Sequence, residues 1–91
     1  QISPLNPYII EHYRKLKGED LKRAMNSIES NMINNDILIE SLENNMKNTI
    51  EEEKVQVLSD TIEDLKYQNE TNDEIMKLLN EQAVKEFRNE R

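Results

Sequence analysis

Apolar side chains at Met25, Ile28, Met32, Ile39, Leu42 and Met46 recur with the alternating three- and four-residue spacing of helix heptad positions a and d. Asn35 stands where one more apolar residue is due. A second run, Val55, Leu58, Ile62, Leu65, Met76, Leu79 and Ala83, keeps one phase, with Asn69 and Asn72 in seam positions. Each run predicts a long helix with a stripe made to lie against another helix. Between Met46 and Val55 the phase is lost, because the intervening residues of an ideal helix turn through about half a revolution. Thr49 with Glu52 has the form of a capping box, so a boundary belongs near residues 44–50. No Gly or Pro stands there, which leaves a hairpin, a kink and one continuous helix all open. Thr71 with Glu74 has the same capping form, but the seam keeps its phase through it, which favours one unbroken second helix.

Upstream, Asn6 before Pro7 is a helix start: the Asn side chain accepts from a free N–H, and Pro at the first helical position loses no needed donor. Ile9, Ile10, Tyr13 and Leu16 form one apolar face, and Gly18 suits the left-handed conformation that ends a helix. Lys15 and Lys17 would then complement the C-terminal end of the helix dipole, with Glu19 and Asp20 opening the next helix. The expected organisation is an extended lead-in over 1–6, a short docking helix over 7–17, a first long helix over 19–48 and a second over 50–89. The two long helices are continuous in the alternative.

With Met32 and Ile39 at position a, Ile33, Ile37 and Leu38 fall at b, f and g. A two-stranded coil leaves position f in water, so this width predicts contact with more than one neighbouring helix. The expected fold is all-α: a short N-terminal helix and one or two long heptad-patterned helices, in a coiled coil or helical bundle.

Composition sharpens this picture. The 91 residues include one Gly, two Pro and one Phe, and are 35% hydrophobic against 34% charged, which suits narrow apolar stripes better than a globular interior. The same balance also describes disorder, against which the periodicity argues. Absence of cysteine removes disulfides and thiolate metal sites and points to an intracellular protein, nuclear or cytoplasmic. No apolar run approaches the roughly 20 residues of a membrane span. There is no signal-peptide pattern, and a chain opening on Gln1 leaves open that it is cut from a longer one. The net charge is −7. Residues 1–23 carry five basic and three acidic groups, or +2, so the remainder carries −9 and repels a phosphate backbone.

No residue pattern supports catalysis, a cofactor or a metal, and the chain is not expected to be an enzyme. His12 has no second histidine or cysteine to complete a metal site. Glu51, Glu52 and Glu53 diverge by about 100° each on a helix and cannot converge on a cation. Asn69-Glu70-Thr71 matches the glycosylation sequon, but Asn69 is better explained as a seam residue.

The expected function is a non-enzymatic helical interaction module, a scaffolding piece of a multi-protein complex that meets its partners along the two seams. Asn35, Asn69 and Asn72 would set register, because an amide in an apolar seam is stable only opposite a partner that satisfies it. At the e positions of the first seam stand Lys22, Glu29, Asp36 and Glu43, and no g position supplies a matching cation. A parallel homodimer therefore gathers like charge, which favours other helical subunits in a heteromer, with a homo-oligomer still open. Nucleic acid is not the expected partner. The alternative is a small adaptor whose basic segment 14–23 binds nucleic acid or an acidic surface.

Overall fold

A computed structural model describes residues 5–89. They form three helices, α1 (Pro7–Arg14), α2 (Gly18–Lys47) and α3 (Glu52–Asn89), and among the described residues there is no strand. The fold is all-α, with α2 and α3 packed on each other and α1 packed on α3. Residues 1–4 of the lead-in and the last two residues lie outside the described part. The molecule is elongated, 59 × 24 × 17 Å, as a pair of long helices requires.

Each helix end has a local cause. Asn6 Oδ1 accepts from the Ile9 N–H at 3.0 Å, and Pro7 opens α1. This helix stops at Arg14 and does not reach residue 17: the N–H groups of Lys15 and Leu16 bond back three residues, to His12 and Tyr13, tightening the last turn. Lys15 and Lys17 thus lie beyond its end. Gly18 adopts φ 54°, the left-handed conformation, and begins α2. The N-cap Lys17 offers no side-chain acceptor, and Glu86 of α3 supplies one instead, its Oε1 2.7 Å from the Gly18 N–H. Nothing lies within 4 Å of a β-carbon added at Gly18, so Gly18→Ala tests the backbone alone. It is expected to cost about 1 kcal/mol in urea denaturation, the penalty of holding an L-residue at positive φ.

Between α2 and α3 the chain leaves the helix at Asn48 and resumes at Glu52, which makes the hairpin the outcome among the three arrangements left open. No glycine is needed, because side chains satisfy the last carbonyls of α2. Asn48 Nδ2 donates to the Asn44 carbonyl at 3.2 Å, and Thr49 Oγ1 donates to the Asn45 carbonyl at 2.6 Å. Thr49 therefore closes α2 and does not form a capping box with Glu52. Thr71 likewise donates backward, to the Tyr67 carbonyl, and α3 runs through it unbroken.

Residue pairs across the hairpin, Gly18 with Glu86, Asn35 with Asn69 and Glu43 with Lys66, show that α2 and α3 run antiparallel. The core they enclose is in two parts. Near the turn, Ile39, Ile62 and Leu65 are buried, with Leu42 and Met46 packed on them. At the open end, Leu5, Leu21, Ile75 and Leu79 are buried, and α1 closes over them. Between the two clusters lies a layer of amides.

Candidate functional site

The side chains singled out as partner-binding seam residues meet one another inside the chain. Met25, Ile28, Met76 and Leu79 belong to the open-end cluster, and Met32 lies beside the amide layer, its carbonyl accepting from Asn69. Ile39, Leu42, Met46, Ile62 and Leu65 form the turn-end cluster, and Val55 and Leu58 are half-buried on α3 near the turn. The face of the docking helix, Ile9, Ile10, Tyr13 and Leu16, packs on the chain's own open-end cluster.

Two buried positions there, Leu5 and Ile75, and the half-buried Leu78 carry no seam signal. Leu5 sits in the lead-in, while Ile75 and Leu78 occupy the g and c positions of α3. They are covered because α1 lies along that flank. A spacing signal existed: Ile75, Leu78 and Leu79 form an i, i+3, i+4 stripe beside the main seam.

The three seam asparagines come together with their neighbours. Asn35 Nδ2 has Asn69 Oδ1 at 3.0 Å, Asn31 Oδ1 at 3.2 Å and Gln68 Oε1 at 3.5 Å, three acceptors for two hydrogens. Asn69 Nδ2 donates to the Met32 carbonyl at 3.2 Å and to Asp36 Oδ1 at 2.8 Å. Asn72 Nδ2 donates to Asn31 Oδ1 at 3.2 Å. Asn35 is buried, and no buried side-chain nitrogen or oxygen among the described residues lacks a partner. The layer thus links α2 and α3 without a desolvation debt. Asn69 is engaged in it through both its amide oxygen and its amide nitrogen.

The acidic e positions of the first seam are partly met from within. Glu43 pairs with Lys66 at 3.9 Å and Asp36 accepts from Asn69, while Glu29, like Glu40 at a b position, makes no ion pair among the described residues. Lys66 stands at an e position of α3, so the pairing depends on the antiparallel approach. On the outer face of α3, Lys77 bridges Asp73 and Glu74 at 3.4 Å each; hydrogen bonding to Glu74, then to Asp73, holds its ammonium above the usual lysine range.

At the open end, Lys15 pairs with Glu11 at 3.3 Å and Arg23 with Asp20 at 3.9 Å, both exposed and of small energetic consequence. His12 is exposed and stacks edge-on against Tyr13 with ring centroids 5.1 Å apart. Among the described residues no group of three His, Asp or Glu could hold a metal ion, and no helix is long and apolar enough to cross a membrane.

What the hairpin does not use is its outer surface. Ile33, Ile37 and Leu38, expected to meet additional helices, are 51%, 62% and 46% exposed among the described residues. Tyr67, Val84 and Phe87 are exposed on α3. Comparison with family models, with curated proteins and with solved structures finds no match to this chain.

Proposed function

We propose that this chain is a non-enzymatic helical interaction module, a scaffolding subunit or fragment that holds other helical proteins in fixed relation inside the cell, in nucleus or cytoplasm. One observation carries the reading. The hairpin closes its core with its own seams, yet Ile33, Ile37 and Leu38 remain exposed on the far side of α2. Exposed apolar side chains grouped on one helix mark a surface meant to be covered. The carboxylates near Ile33, Glu29 and Glu40 among them, favour at the Ile33 edge of this surface a heteromeric partner whose apolar helix has basic flanks.

The test is recovery of the tagged protein from its own cells at about 0.5 M salt, where screening weakens phosphate-dominated binding and spares apolar contact. Other helical proteins should be retained by the native chain and lost from Ile33→Asp, which keeps its helical circular dichroism because residue 33 is outside the core. Retention that ignores Ile33→Asp counts against this surface.

The second reading, an adaptor for nucleic acid or an acidic surface, is favoured by the charge division. Arg14, Lys15, Lys17, Lys22 and Arg23 gather at the open end, away from an acidic body. Tight binding of labelled duplex DNA, falling steeply with salt, would replace the scaffold reading with this one.

A further inference from the structure

We infer that α2 pairs antiparallel with the α2 of a second copy of this chain, through the face centred on Ile37 and Leu38. The inference deepens the interaction-module reading and rests on it, naming the occupant of one part of the outer surface.

Charge placement comes first. Between Ala24 and Met46 the charged residues are Glu29, Asp36, Glu40 and Glu43, all acidic and all at e or b positions. The c, f and g positions from Ser27 to Asn45 hold only Ser, Asn, Ile and Leu, and every one of them is exposed. In a chain that is 34% charged, five turns of exposed helix face have no charge at all. The carboxylates lie about 90° or more around the helix from the centre of that face.

A chain of net charge −7 repels its copy wherever carboxylates would meet. This face is where α2 can approach its own image without that repulsion. Its pattern is also nearly the same read from either end. About a midpoint between Ile37 and Leu38, Asn34 corresponds to Ser41, and Ser30 to Asn45; Asn31 likewise answers Asn44. An antiparallel pair with its two-fold axis there sets Ile37 against Leu38 of the second copy, with an amide against a hydroxyl at 34/41 and 30/45 and an amide against an amide at 31/44. That is the self-complementarity an isologous interface requires. A partner with basic flanks gains nothing on this face, which has no acid to offer it.

The contact from Ser30 to Asn45 is about 22 Å long and one helix wide. It sits at the small end of specific interfaces, so the dimer should be weak and is sought up to roughly half a millimolar chain. Sedimentation equilibrium of the full chain is expected to show the mass doubling over that range. More salt should favour the dimer, because screening relieves the repulsion between like-charged copies. Ile37→Glu and Leu38→Glu are each expected to hold the chain at monomer mass with unchanged helicity.

Ser30→Glu, a change at an exposed hydroxyl that takes nothing from the core, should weaken the dimer at least tenfold. Adding Asn45→Lys should restore it, because residue 30 of one copy faces residue 45 of the other. A native chain that stays monomeric throughout overturns the inference. So does a dimer that ignores Ile37→Glu and Leu38→Glu, or a double variant no better than Ser30→Glu alone. The interaction-module reading stands or falls separately, on the retention of other proteins through Ile33.

Discussion

Leu79→Ala is expected to lower the unfolding free energy of the hairpin by about 3 kcal/mol. Leu79 is the one large side chain among the described residues with no exposure at all, enclosed by Leu5, Leu21 and Ile75 in the open-end cluster. Truncation removes its apolar transfer energy and leaves a cavity lined from α2, α3 and the segment leading into α1. These elements are joined by few turns and can close the cavity only partly. A chain this short has a total stability at the low end of the usual range of about 5–15 kcal/mol, so the loss should be visible as a large fall in the urea midpoint followed by circular dichroism at 222 nm. Val84→Ala, at an exposed position five residues on, should change stability by less than about 0.5 kcal/mol. A loss under about 1 kcal/mol at Leu79 would place the main stability of the molecule near the turn.

The long helices were legible because each buries one stripe, and a stripe at heptad spacing needs no knowledge of its partner. The partner was another matter. Heptads at Met25–Met46 and Val55–Ala83 predict that something covers each seam, and they are satisfied equally by a neighbouring protein or by each other. What decides in favour of the chain itself is the turn, whose cause is a pair of side-chain bonds, Asn48 to the Asn44 carbonyl and Thr49 to the Asn45 carbonyl. Asn and Thr make such bonds in many settings, so their presence signals a boundary without giving its angle. Ile75 illustrates the other limit. Its g position marks it as peripheral in a two-helix frame, and it is buried because α1 adds a third helix to that flank alone. The outer face of α2 was legible as apolar at Ile33, Ile37 and Leu38, while its division into an acidic side and an uncharged side has meaning only once α3 is seen to occupy the seam.

Asn69→Leu alone is expected to destabilise the hairpin by about 1–3 kcal/mol, and Asn35→Leu with Asn69→Leu together to recover that loss or exceed it. The single change removes the 3.0 Å acceptor of the buried Asn35 amide and the donor to Asp36 and the Met32 carbonyl, leaving polar groups in a half-dry layer. The double change removes the principal pair and lets leucine join the turn-end and open-end clusters into one apolar seam. A coupling of about 1 kcal/mol or more in the double-mutant cycle would show that the two amides act as a unit. The gain in stability should come with a loss of definition, because an unbroken apolar seam accepts helices slipped along it, or taken from another copy, nearly as well as the native pairing. Amide NMR spectra of the double variant should therefore show extra peaks and broadening that grow with concentration. A single sharp set of peaks would mean that the turn at Asn48–Glu51 and the Glu86 cap on Gly18 hold the register without the amide layer.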